Sequence, residues 1–218
     1  MTKHKIARFV LWSMTVVGLL TFMAAGITAQ AAVKKPYPTP NMLHHGWQLT
    51  FVWHKPQRLY AAVGHGIHRS LREYWFMRYT VANNTHRDIF FIPSFVLVTD
   101  TGKVLRPVVG LSPRVLAKIR TVTGDPFILS PGLIAGKLLQ GADNAKDGVA
   151  VFTNVPFQSR QFKIFVSGLS ADTALQKNPL THKTVVLHKT LLLKFWIPGQ
   201  SVRMLPQVQF QGKQWVMR

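Results

Sequence analysis

From Trp47 onward, apolar and polar residues alternate over a series of short runs. In "GWQLTFVWHKP" the residues Trp47, Leu49, Phe51 and Trp53 share one side of an extended chain, which predicts a first strand over 47–53. In "EYWFMRYTVA" the residues Trp75, Met77, Tyr79 and Val81 alternate with Phe76, Arg78 and Thr80. That period of two predicts a strand with one buried face, and it puts Arg78 on the other. Asn83-Asn84-Thr85 is a turn signal, because Asn tolerates positive φ and bonds nearby backbone. "DIFFIP" resumes an extended run, so the turn is read as joining two adjacent strands, with His86 and Arg87 in the connection. Pro93 breaks the run and Ser94 to Thr99 continue it. "FVLVTDTGKVLRP" then reads as a hairpin with Asp100-Thr101-Gly102 at its tip.

One segment has the other period. In "SPRVLAKIRTV" Ser112 is placed to cap a helix, Pro113 suits its first turn, and Val115, Leu116 and Ile119 form an apolar face. A helix is predicted over about 113–122, ended by Gly124-Asp125-Pro126. Further strands are predicted at 136–139, 148–153, 162–167, 184–196 and 208–216. "GHGIHRS" (64–70) reads as loop, and "QGADNAKDG" (140–148) as a long turn with Asp caps. Short strands closed by Gly, Pro and Asn predict an all-β sandwich with one short helix. No repeat or second boundary interrupts residues 46–218.

Ahead of this domain the pattern changes. "MTKHKIARFVLWSMTVVGLLTFMAAGITAQAAVKK" places Lys3, Lys5 and Arg8 before an uncharged run from Phe9 to Val33, and Ala29-Gln30-Ala31 fits a small-x-small cleavage pattern. The apolar core, Phe9 to Ile27, exceeds the roughly 7–15 residues usual for a cleaved signal and approaches the roughly 20 that span a bilayer. Residues 1–31 therefore read as a signal peptide or an uncut signal-anchor helix. In the second case residues 9–31 contact the membrane. Basic residues before the run keep that end cytoplasmic, so either reading predicts an extracytoplasmic domain in the periplasm or cell envelope. Residues 32–45, with Pro36, Pro38 and Pro40, read as an extended spacer.

Charge and composition narrow the partners. The chain has 27 Lys and Arg against 7 acidic residues, a net charge of +20. Without the first three basic residues the excess is about +17. It is purest at the C-terminal end, where Lys177, Lys183, Lys189, Lys194, Arg203, Lys213 and Arg218 follow the last acid, Asp172. Such a charge favours an anionic partner, or it serves solubility alone. Outside the cytoplasm the anionic candidates are lipid, acidic glycan or an acidic envelope protein, and nucleic acid is not expected. Cysteine is absent, which removes thiol catalysis and thiolate metal sites.

Catalytic patterns are scarce. Glu73 is the sole glutamate, and the six aspartates fall mostly in predicted turns. No G-x-S-x-G, S-x-x-K or phosphate loop occurs. Histidine offers the strongest chemistry: His44, His45, His54, His65, His68, His86, His182 and His188 could supply imidazoles, with His44-His45 and His65-x-x-His68 the closest in sequence. Adjacent residues on an extended chain point to opposite sides, and no H-E-x-x-H accompanies them. We therefore expect no catalytic residue, no cofactor and no metal site.

The segments "WFMRYTVANNTHRDIFFIPSFVLVTDTGKV", "GKLLQGADNAKDGVAVF", "FKIFVSGLSADT", "LHKTLLLKFWIPGQ" and "KQWVMR" carry a resemblance. Over about Trp47 to Arg218 the chain resembles an uncharacterised bacterial family of exported proteins. It is also similar to the immunoglobulin-like domains of unknown function on bacterial surface proteins. The resemblance implies an immunoglobulin-like sandwich outside the cytoplasm and transfers no site residues. The expected role is a non-enzymatic binding or scaffolding domain, with electrostatic binding of anionic lipid or acidic glycan as the alternative. Arg78, Arg87, Lys189, Lys194 and Arg203 are the candidate partner-binding residues.

Overall fold

The computed structural model describes residues 46–64, 69–177, 181, 183–198 and 207–218. The predicted signal or anchor (1–31), the spacer (32–45), His44, His45, His65, His68, His182 and Arg203 lie outside the described residues. The chain divides at Lys34/Lys35, and every described residue belongs to the later unit.

In chain order the elements are β1 (Thr50–Trp53), β2 (Gln57–Val63), β3 (Ser70–Asn83), β4 (Ile89–Phe91), β5 (Ser94–Thr99), β6 (Val104–Leu105) and α1 (Pro113–Thr123). They continue with β7 (Gly136–Leu138), β8 (Gly141–Phe152), β9 (Gln161–Ser167), β10 (Thr173–Lys177), β11 (Thr184–Trp196) and β12 (Gln209–Met217). In the first sheet β3 lies between β8 and an edge made by β1 and β2 in succession. Trp53 faces Tyr79 and Gln57 faces Phe76, so His54-Lys55-Pro56 span a stretch where β3 has two residues. That extra residue is a bulge in the edge. The second sheet runs β6–β5–β9–β11–β12, with β10 following β9 along the same side of β11. All the pairings between named strands are antiparallel. A strand flanked by the first and the later central strand, facing a sheet of the intervening and following ones, is the strand order of an immunoglobulin-like sandwich.

Alternation explains the layering. Trp75, Met77, Tyr79 and Val81 of β3 pack with Leu97, Ile164, Val166, Leu191 and Leu193 between the sheets. Each such side chain, when fully buried, contributes roughly 1.5–3 kcal/mol. The opposite face of β3 is not open, as the alternation alone predicts. Tyr74 and Phe76 are buried there with Leu59, Val149 and Val151 beneath Val115 and Ile119 of α1. The helix thus forms a third layer on the first sheet. Pro113 opens it and Gly124, at φ 68°, closes it in the left-handed region. Ser112 makes no side-chain cap. Its carbonyl accepts from Val115 and Leu116 N–H instead.

Three local readings change. Asn83-Asn84-Thr85 does turn the chain, but β3 and β4 are not paired with each other. β4 pairs with β7, and the chain then crosses to the second sheet at β5. "QGADNAKDG" is not a turn with Asp caps. Gly141 begins β8, and the register slips between Val81 and Asn83 because residues 142–145 bulge outward. β2 and β10 are strands that the hydrophobic pattern did not indicate. By contrast the β5–β6 hairpin stands as predicted, with Gly102 at φ 81° and Thr99 N–H donating to Lys103 O.

Before β1 the chain belongs to the other sheet. Leu49 N–H donates to Leu169 O at 2.8 Å, Ala171 N–H to Trp47 O at 3.0 Å, and Gly46 N–H to Asp172 Oδ1 at 2.9 Å. Residues 46–49 thus clasp the second sheet before the chain crosses to the first.

Candidate functional site

The crossing leaves a groove between one edge of each sheet. β1 supplies Phe51 and Trp53, β12 supplies Lys213, Gln214 and Trp215, Leu191 of β11 lies between them, and Gln48 stands at one end. The groove encloses about 410 Å³. Period two explains the set: Phe51 and Trp53 of β1 turn inward, as do Lys213 and Trp215 of β12, whose partners across the ladder are the inward Leu193 and Leu191. Opposite β12 the first sheet has no further strand among the described residues, and Phe51, Trp53 and Trp215 there are half-buried.

The aromatic rings form a chain. Phe51 lies 5.2 Å from Tyr79 and 6.4 Å from Trp53, and Trp53 lies 5.7 Å from Phe210, all between ring centroids. Two cations sit on it. Lys213 Nζ is 5.3 Å from the Trp53 centroid, and Lys189 Nζ is 5.2 Å from that of Trp215. Each such contact is worth about 0.5–1 kcal/mol at an exposed position. The two lysines differ. Lys189 is held by Asp172 at 2.7 Å, whereas Lys213 has no carboxylate partner among the described residues. Burial by itself would raise the Asp172 pKa. The Lys189 ammonium and the Gly46 amide outweigh it and hold the carboxyl below its ordinary value.

The candidate residues read from the sequence do not gather in one place. Arg78 is on the outer face of the first sheet, as predicted, but it is engaged: its guanidinium lies 3.6 Å from Asp125 and donates to His54 Nδ1 at 3.4 Å. Burial and the Arg78 charge push the His54 pKa down. Arg87 is exposed, and its carbonyl accepts from Asn83 and Thr85. Lys189 borders the groove. Lys194 lies on the outer face of the second sheet, directly across from Lys163. Lys213 and the groove aromatics were absent from the sequence-derived set. Their signal was the alternation in "GWQLTFVW" and "KQWVMR", which local periodicity assigns to core.

Six of the seven carboxylates have structural partners. Glu73 accepts from Tyr60 Oη and Trp75 Nε1, each at 2.9 Å, and lies 3.9 Å from the buried Arg58. Asp88 pairs with Lys137 at 2.8 Å, and that ammonium lowers its pKa. Asp147 accepts from Thr80 Oγ1, and Asp100 from the amides of Arg160 and Gln161. Among the described residues no cluster of three or more His, Asp or Glu stands ready for a metal ion.

No family model matches the sequence, and no curated protein matches it. Among solved structures, the yjhA protein from Bacillus subtilis is similar at a TM-score of 0.37 and 19% identity, covering 66% of this chain and 92% of that one.

Proposed function

We propose that this chain is a non-enzymatic binding domain of the cell envelope that takes its partner in the groove between β1 and β12. The observation that carries the proposal is the groove itself: a run of aromatic rings that no strand covers among the described residues, with Lys213, which has no carboxylate partner among them, over Trp53. Sites that bind ligands combine such apolar walls with a few polar groups, here Gln48, Gln214 and Lys213. The engagement of six of the seven carboxylates in ion pairs and hydrogen bonds supports a binding role over catalysis. The basic, uncharged and small-residue order of 1–31 supports export.

The test is a photo-cross-linking amino acid at position 213, with another at Lys118 on the far side of the first sheet as reference. In native envelopes, 213 should yield a discrete adduct that 118 does not. Equal labelling from both positions would refute the groove, and an N-terminal peptide starting at Ala32 would establish cleavage.

A second reading is electrostatic attachment to anionic lipid or acidic glycan. It is favoured by the surplus of Lys and Arg, which outnumber acids 27 to 7. Retention on anionic vesicles that falls steeply with added salt supports it. Failure to bind them at low salt would remove it.

A further inference from the structure

On the outer face of the second sheet, Lys163 of β9 and Lys194 of β11 are direct cross-strand partners. Like charges placed opposite one another destabilise a sheet, so the arrangement is one that packing alone disfavours. Among the described residues neither ammonium lies within ion-pair distance of a carboxylate. The next position in the same row, on β12, is Gly212, where a Cβ would meet no atom within 4 Å. The row therefore ends in a gap where a side chain would otherwise stand beside Lys194.

Next along β12, at Gln211, a depression of about 250 Å³ is lined by both lysines, with Gln161, Gln211 and Thr99 as neutral hydrogen-bonding groups and Val98, Phe162 and Phe195 as its apolar members. Asp100 is the one acid in the lining. Its Oδ2 already accepts the amides of Arg160 and Gln161 at 2.9 and 3.0 Å. Two cations against one engaged carboxylate leave the depression positive. Its volume falls short of the roughly 300 Å³ at which pockets for drug-sized ligands begin, and suits one small group.

We infer that Lys163, Lys194 and the depression they line beside Gln211 form a binding site for a phosphate monoester. A dianion relieves the repulsion between the two ammoniums, which a single negative charge offsets only in part. The terminal oxygens of a monoester also accept from both lysines and from the flanking amides. The site rests on the electrostatic reading above and gives it a definite place. The group has two sources, a soluble phosphate ester or the headgroup of phosphatidic acid, and the two arms of the test separate them.

The full chain is titrated at low salt with inorganic phosphate by calorimetry, and separately with phosphatidylcholine vesicles with and without phosphatidic acid. Lys163→Gln and Lys194→Gln are compared with Lys55→Gln, which removes the same charge from an exposed position elsewhere. Saturable phosphate binding is expected, weakened at least about tenfold in K163Q and K194Q and unchanged in K55Q. Binding to phosphatidic acid with the same variant pattern assigns the lipid source. Phosphate binding without it assigns the soluble one. Thermal melting supplies a second readout. Without phosphate K194Q should melt above the wild type, because the repulsion is gone, and phosphate should raise the wild-type midpoint and not the variant's. Equal weakening in all three variants would overturn the site while leaving the diffuse electrostatic reading in place. No binding to phosphate or to anionic vesicles at low salt would overturn both.

Discussion

Asn83 offers the sharpest test of how the end of β3 is tied to the β4–β7 pair. Its side chain is fully buried at the end of β3. Its Nδ2 donates to Arg87 O at 2.7 Å and to Leu138 O at 2.9 Å, while its Oδ1 accepts from Thr85 N at 3.1 Å and Thr85 Oγ1 at 2.7 Å. One amide thus holds the turn, the end of β3 and β7 in register. In Asn83→Ala the Leu138 carbonyl loses this buried partner, at about 1–3 kcal/mol. Arg87 O keeps the Thr85 hydroxyl, and Thr85 N lies in a half-buried position that water can partly reach, so the other losses are smaller. Together they come to about 3 kcal/mol. For a domain of this size that lowers the melting midpoint by about 6–12 °C. Circular dichroism melts of the two proteins measure it. Asn83→Asp should be worse at neutral pH, because it sets a carboxylate against two carbonyl oxygens, and should recover in part when acid protonates it. A midpoint for Asn83→Ala within about 1 °C of wild type would show that the turn forms without this amide.

Other outcomes follow from single contacts. Gly148→Ala places a Cβ against Ile134 Cδ1 and 2.7 Å from Tyr79 Cζ. In a packed core it should cost about 1–3 kcal/mol in urea unfolding, whereas Gly132→Ala, with nothing within 4 Å, should stay within about 0.5 kcal/mol. Asp172 has its folded pKa lowered, so its stabilisation is present above the ordinary carboxylate range and is lost as pH falls below it. Asp172→Asn should remove that acid-limb slope from stability measured against pH. His54 is also lowered, but as a base it resists charging in the folded state. Stability should therefore fall as pH drops through the ordinary histidine range near 6.5, and His54→Gln should flatten that decline.

Strands whose inward residues alternate were the most legible part of the chain. β3, β9, β11 and β12 each show the period of two, and the β5–β6 tip carries its turn residues openly. β2 was missed for a physical reason. In "QRLYAAV" the buried Arg58, Leu59 and Ala61 follow no strict alternation, since α1 covers part of one side and the Glu73 cluster holds the arginine on the other. β10 was missed because Leu175 is exposed, so its pattern lacks an apolar face. Arg78 could be placed on the outer face from spacing, but its engagement with Asp125 depends on α1 ending where it does. The groove is hidden more deeply. Its two walls come from β1 and β12, far apart in the chain, and each alone looks like an ordinary half-buried strand. A site whose walls come from two separate strands leaves no local mark.

The clasp at residues 46–49 has a mechanical consequence. Any pull transmitted through the segment ahead of Gly46 meets the Gly46–Asp172 bond first, then the bonds of Trp47 with Ala171 and Leu49 with Leu169. Bonds met one after another peel at lower force than bonds that must break together. The first event under tension is therefore release of this segment from the second sheet, with β3, β9 and β11 still packed. Because β1 continues directly from the released segment, tension would loosen one wall of the groove.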